Sequence, residues 1–334
     1  MWAAVLATVR ASRRILLPLH VRPDGDSVGS SLAVARGLRA LGKTASVVSA
    51  DPLPSNLRFL DPGSECLQPA AIAGDGWDLA LLLDCADEGR LGAAAPLLQG
   101  VPRTVNIDHH ASNSRYAGLN VVDERCAACA ELALRLLDDL GCALDPGMAT
   151  ALFAALATDT GSFRYAATSP ATLAAAARLR AAGADLDRIQ SEIWEHRSLP
   201  SLRVLAIALQ SLTVDAGGEL AWVAVSDADL AAAGADAEAT EGLVDYPRTL
   251  HGVEVAALFV HEGSGGTRIS LRSRTRVDVS VLAARFGGGG HPRAAGCTVT
   301  GPPAEARDRV LAAAREALAR PGGAGGQAAG DGRP

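Results

Sequence analysis

The chain has 334 residues, more than one core of about 100 to 200 residues accommodates, so two domains are expected. Its 37 acidic side chains exceed its 31 basic ones, which argues against a surface that grips long nucleic acid through phosphate charge. A small anionic substrate stays open, because metal ions can supply positive charge inside an acidic protein.

The N-terminus places apolar Trp2 to Val9 ahead of Arg10, Arg13 and Arg14, the reverse order of a secretory signal. No uncharged run reaches the roughly 20 residues that span a bilayer. Six scattered cysteines are not needed as staples in a chain this long and fit a reducing compartment. A soluble, cytoplasmic protein with no membrane contact is expected. From residue 14 onward, short β-rich apolar runs at 15–19, 45–48, 79–83 and 104–107 alternate with helical stretches, the pattern of a parallel sheet flanked by helices. After Asp26, the residues Val28, Leu32, Ala35, Leu38 and Leu41 recur at helical spacing and stop at Gly42, a suitable residue just past a helix end. Helical spacing returns at 127–140, 147–158, 171–182 and 189–195. Cys126 and Cys129 open the first of these and, with no second pair to complete a zinc site, read as helix packing.

Proline interrupts the pattern near 197–201, and strands resume at 220–225, 253–260 and 268–272. A short helix at 279–285, a strand at 297–299 and an amphipathic helix at 304–319 follow. The expected layout is α/β: a first domain over 1–196 with a helix-flanked parallel sheet, a linker at 197–215, a smaller α/β domain over 216–320, and a disordered glycine-rich tail at 321–334.

The chemistry gathers at strand ends. One strand runs into His20-x-x-x-Asp24-x-Asp26, another into Asp84, and a third into Asp108-His109-His110, while the apolar helix from Thr150 ends on Thr158-Asp159-Thr160-Gly161. In an open parallel sheet the carboxyl ends of the strands line the ligand crevice, so these residues should share one rim. Each piece alone has a plain structural explanation. Asp24-Gly25-Asp26 reads as a capped turn, Asp84 and Asp108 as helix caps, and the histidines as surface polar groups. Together they form a metal-binding set of oxygen and imidazole donors without thiolate, which suits Mn²⁺ or Mg²⁺, with the histidines favouring manganese.

These stretches, His-Val-Arg-Pro-Asp-Gly-Asp-Ser, Leu-Leu-Leu-Asp, Asp-His-His and Thr-Asp-Thr-Gly, resemble motifs I to IV of the DHH phosphoesterase family. Phe286-Gly-Gly-Gly-Gly-His-Pro-Arg-Ala-Ala-Gly296 resembles the signature of the family's associated DHHA1 domain. The resemblance covers about residues 10 to 320. By length and architecture the nearest branch is the one combining oligoribonuclease activity with a phosphatase for 3′-phosphoadenosine 5′-phosphate. The resemblance implies two metal ions, most simply Mn²⁺, bound by His20, Asp24 and Asp84 on one side and by Asp26, Asp84, His109 and Asp159 on the other, with Asp84 bridging. It leaves His110 free to donate a proton to the leaving oxygen, with Asp108 orienting a histidine. Gly25 and Gly29 would let backbone approach the site closely.

For the second domain, Gly287 to Gly290 can be a plain flexible turn, or Gly288, Gly289 and Gly290 can form a backbone nest for a phosphate or base beside His291. The family carries an Arg-Ser pair where Arg272 and Ser273 stand, and Arg272 suits bidentate phosphate contact. Two domains across a cleft would admit only a few nucleotides. The partners implied are therefore short RNA oligonucleotides and mononucleotides, with no long nucleic-acid track and with a homodimer left open. The competing readings are a catalytically silent nucleotide sensor, a single-strand exonuclease, a pyrophosphatase and a cyclic dinucleotide phosphodiesterase.

Overall fold

The computed structural model describes residues 1–72, 76–215, 217–263 and 266–319. The tail expected at 321–334 lies outside the described residues. The described chain forms two compact units, Met1–His196 and the part from Arg197 onward.

The first unit runs α1 (Trp2–Ala11), β1 (Arg14–Pro18), α2 (Gly25–Ala40), β2 (Thr44–Val48), β3 (Cys66–Leu67), β4 (Leu79–Leu83), β5 (Thr104–Asp108), β6 (Leu119–Val122), α3 (Cys129–Leu140), α4 (Pro146–Asp159), α5 (Pro170–Ala181) and α6 (Leu186–Gln190). Its six strands lie in the order β3-β2-β1-β4-β5-β6, all parallel. The order reverses between β1 and β4, and such a switch point opens a crevice at the carboxyl ends of the strands. β4, Leu-Ala-Leu-Leu-Leu, is buried throughout, as a central parallel strand covered on both faces must be. On one face Ile15, Leu17, Leu79, Leu81, Val105 and Ile107 join the large core with α2, α3 and α4. On the other, Leu16 and Val48 meet Trp77 and Ala94. Each fully buried leucine contributes about 1.5–3 kcal/mol.

Helix α2 packs unusually close to α4. A methyl group on Gly25 would lie 2.3 Å from the Thr158 hydroxyl, and one on Gly29 would lie 2.3 Å from the Ala151 carbonyl oxygen. The two glycines expected to bring backbone near the site thus do so by letting α2 and α4 approach, which draws the start of α2 towards Asp159 at the end of α4.

The second unit runs α7 (Leu199–Gln210), β7 (Thr213–Val214), β8 (Leu220–Ser226), α8 (Asp227–Ala233), α9 (Asp245–Arg248), β9 (Val255–Glu262), β10 (Gly266–Ser273), α10 (Val279–Ala284), β11 (Gly289–His291), β12 (Ala294–Val299) and α11 (Pro303–Ala319). The sheet order is β11-β12-β10-β9-β8-β7, antiparallel except for the parallel pair β8 and β9. Residues 199–210, expected as linker, are helix. Ser198 caps it by accepting the Ser201 N–H, and Pro200 sits in its first turn, where the missing N–H of proline costs nothing. The proline that reads as a breaker therefore starts a helix, and Val204 and Ala208 bury into the core of this unit.

Candidate active site

The N–H of Leu19 still donates to the Val48 carbonyl at 2.8 Å, so strand geometry carries the chain up to His20. The backbone then turns through Arg22, at φ 53°, into Asp24, which caps α2 by accepting the Ser27 N–H at 3.1 Å. The capped-turn reading of this stretch holds, and the same turn places His20 and Asp24 beside Asp84, with Asp26 turned to His109 and Asp159. Asp84 follows β4 with a left-handed backbone, φ 57°, a conformation that an aspartate adopts only at some cost. Its N–H donates to the Ile107 carbonyl at 3.1 Å, which fixes it against β5 and the Asp108-His109-His110 run.

These ends converge. His20 Nε2 lies 3.6 Å from Asp24 Oδ2 and 3.7 Å from Asp84 Oδ2. His109 Nε2 lies 3.4 Å from Asp84 Oδ1, 3.3 Å from Asp159 Oδ2 and 3.7 Å from Asp26 Oδ2. The two oxygens of Asp84 thus face different histidines. Three groups within this unit bring potential ligand atoms within 4.8 Å of one another: His20, Asp24 and Asp84; Asp26, His109 and Asp159; and Asp84 with Asp108, His109 and His110. All six residues expected to hold metal lie in these groups.

The donor set fits divalent cations. His20 Nε2 and Asp84 Oδ1 are buried polar atoms with no hydrogen-bond partner, a state that costs about 1–3 kcal/mol per atom unless an ion completes it. The charges are also frustrated. Burial, then the neighbouring Asp84 carboxylate, pushes Asp26 up to about 8, and burial with the Asp26 charge raises Asp159 well above the carboxylate range. Burial opposes protonation of His20, yet Asp24 and Asp84 raise it to about 10. His109 is raised to about 11, against burial, by Asp84, Asp159 and Asp26. Protons here occupy the place of positive charge that cations would take.

Backbone at 126–130 supports this cluster, a feature that reading the sequence missed. Asp26, 1% exposed, accepts the Cys129 N–H at 2.5 Å and the Ala130 N–H at 3.0 Å, with the Ser30 hydroxyl also at 3.0 Å. The N-terminus of α3 therefore spends its otherwise unpaired donors on a site carboxylate. The Cys126 carbonyl lies 3.2 Å from His109 Nδ1, which places the proton on Nδ1 and turns Nε2 to the carboxylates. The Cys129 thiol is fully buried and donates to the Ile107 carbonyl at 3.2 Å, so the pair packs a helix start. The only local signal was the helix beginning there. Asp108, at the end of β5, is 0% exposed, and its Oδ1 lies 2.7 Å from His110 Nδ1.

In the second unit, Arg272 and His291 both pair with Ala294, from opposite sides of β12. Directly opposed residues share a sheet face, so the guanidinium and the imidazole flank a small side chain in one row. Arg272 also sits 3.8 Å from Asp245. Ser273 is buried, its hydroxyl engaged with the Val277 and Pro292 carbonyls. The glycine run is edge strand, not turn, from Gly289. A methyl group on Gly288 would meet the Gly296 carbonyl at 2.1 Å, and Gly290, at φ 142°, crowds Ala294. Close strand approach alone accounts for glycine at these two positions.

Two family models match the chain: "DHH family, N-terminal domain" over residues 14–157 and "DHHA1 domain" over 221–320. The chain is 37% identical over 314 residues, 92% of this chain and 91% of the relative, to a protein of Thermus thermophilus named bifunctional oligoribonuclease and PAP phosphatase NrnA. A Bacillus subtilis protein of the same name is 25% identical over 318 residues, 92% of this chain and 96% of the relative. Among solved structures, an exopolyphosphatase-related protein of Bacteroides fragilis superposes with a TM-score of 0.87 at 23% identity, covering 94% of this chain and 95% of that one, which establishes the shared fold.

Proposed function

The chain belongs to the DHH phosphoesterase family, and from that membership we propose that it hydrolyses short oligoribonucleotides, linear dinucleotides included, and 3′-phosphoadenosine 5′-phosphate. The observation that carries the reading is Asp84, buried between two histidine–aspartate groups with Oδ2 turned to His20 and Oδ1 to His109, where it would serve both cations. His20, Asp24 and Asp84 would hold one ion and Asp26, Asp84, His109 and Asp159 the other, Mn²⁺ suiting the mixed oxygen and imidazole donors best. Bound divalent cations supply charge stabilisation at phosphorus and a more acidic water.

The chain's own groups do the rest. Four carboxylates against two dications leave about zero net charge, so an anionic phosphate meets no repulsion. His110, with Nδ1 tied to Asp108, keeps Nε2 to donate a proton to the leaving oxygen. In the second unit, the Arg272 and His291 row is suited to a phosphate or base, with the backbone of Gly288 to Gly290 beside it. Ser273 ties the end of β10, next to Arg272, to the Val277 and Pro292 carbonyls. No helix among the described residues is long and apolar enough to cross a membrane, and six unpaired cysteines suit the reducing cytoplasm.

The test is a panel with manganese: an RNA dinucleotide, a 24-mer, 3′-phosphoadenosine 5′-phosphate, a cyclic dinucleotide and pyrophosphate. Fastest turnover is expected on the dinucleotide or on 3′-phosphoadenosine 5′-phosphate. Fastest turnover of pyrophosphate or the 24-mer would overturn the reading, and a chelator should abolish all activity until manganese is restored.

A further inference from the structure

His110 and Asp108 belong to a hydrogen-bond chain whose direction is set throughout. Asn106, 0% exposed, donates from Nδ2 to the Leu82 carbonyl at 3.3 Å and the Cys85 carbonyl at 3.1 Å. Carbonyls only accept, so the amide nitrogen must face them and Asn106 Oδ1 must face Asn113. Asn113 Nδ2 lies 2.8 Å from that oxygen and 2.5 Å from Asp108 Oδ2, while its own Oδ1 accepts the Arg115 N–H at 2.7 Å. Turning either amide round would set oxygen against oxygen.

Asp108 is consequently surrounded by donors. Asn113 serves Oδ2, and Oδ1 faces the His109 N–H at 2.8 Å, the His110 N–H at 3.3 Å and His110 Nδ1 at 2.7 Å. With these donors around it, Asp108 Oδ1 takes a hydrogen bond from a proton on His110 Nδ1, and Nε2 is the ring atom turned away from Asp108.

We propose that Asn113 is a positioning residue for the hydrolytic reaction: through Asp108 it fixes the orientation and Nδ1 protonation of His110, with Asn106 setting the direction of the chain. The proposal rests on the reading of His110 as proton donor. A packing role for Asn113 makes a different forecast. Asn113→Asp keeps the shape but sets a second carboxylate against Asp108, whereas Asn113→Ala loses the shape and adds no charge. If Asn113 only fills space, alanine is the worse change; if it supplies polarity, aspartate is.

With manganese and an RNA dinucleotide, Asn113→Asp should lower kcat by about 10–100-fold, more than Asn113→Ala does, while KM and manganese affinity stay within about threefold. In the magnesium-loaded full chain, isotope-labelled at histidine nitrogen, proton–nitrogen spectra should show His110 protonated at Nδ1, assigned by its loss in His110→Ala. That signal should shift or broaden in Asn113→Asp. Unchanged spectra in both variants, or a larger kcat loss for alanine than for aspartate, overturns the proposal. Parallel loss of manganese affinity and kcat also overturns it, since Asn113 would then support the metal ligands. If His110→Ala keeps full turnover, the proton-donor reading fails instead, and the ring-nitrogen spectra still decide whether Asn113 positions the ring.

Discussion

His20, His109 and Asp26 each hold, in the metal-free protein near neutral pH, a proton that a cation has to displace. Their values stand at about 10, about 11 and about 8, so at pH 7 all three are protonated and none is ready as a ligand. Manganese binding should therefore release protons, and affinity should rise with pH as that competition fades, by up to about tenfold per pH unit for each proton released. Titration calorimetry in two buffers of different ionisation enthalpy measures the proton count directly, and a count of zero would refute this account of the site. The strand ends where His20 and His109 stand were legible in the sequence, from the runs at 15–19 and 104–107. Their partners were not. Asn106 sits inside a strand and Asn113 in a loop, and nothing in their spacing shows that two amides and a carboxylate form one chain.

Elements that carry ligands read more plainly than elements that only support them. β4 is a continuous apolar run, β1 is nearly one and β5 is rich in β-formers, and their boundaries in the structure differ by one residue or less from the expected ones. β3 and β7 have two residues each, too short for any periodicity, and α7 hid behind Pro200. The strap at 274–277, between β10 and α10, is a support of this second kind. Its backbone N–H groups at Thr275, Arg276 and Val277 all donate to the Glu254 carboxylate, at 3.1, 2.7 and 2.9 Å. Burial pushes Glu254 up, yet these donors prevail and lower it below its ordinary 4.5. A depressed carboxyl stabilises the fold above its unfolded value, and that contribution is lost as pH falls through the folded value. Glu254→Gln removes one acceptor oxygen and turns an N–H group towards the strap's donors. It should cost about 1–3 kcal/mol at neutral pH, read as a lower denaturant midpoint. The difference from wild type should shrink below pH 4. A constant difference across pH would show that the strap is held by packing.

At the scale of the whole molecule, each unit carries cores built from its own residues. The largest buried cluster of the first unit runs from Val5 to Ile189, and the two clusters of the second begin at Val204 and Leu220. The six expected metal ligands, His20, Asp24, Asp26, Asp84, His109 and Asp159, lie within Met1–His196. A fragment of residues 1–196 should accordingly fold, melt in one transition and bind manganese with near full-length affinity. Its KM for an RNA dinucleotide should rise by at least about tenfold, since the Arg272 and His291 row is gone. Failure of the fragment to bind manganese would mean that the second unit helps to build the metal site.

The left-handed backbone of Asp84 limits what can replace it in evolution as well as in the laboratory. Asparagine and glycine enter that conformation readily, and most other side chains add strain of about 1–2 kcal/mol. Asp84→Asn therefore isolates the charge, with activity expected to drop more than about 100-fold and the fold intact, whereas Asp84→Ala mixes lost charge with lost stability. A descendant that gave up hydrolysis and kept this architecture as a nucleotide sensor would drift towards Asn or Gly at that position. The residue after the fourth strand is thus where a loss of hydrolysis is expected to leave its trace in the sequence.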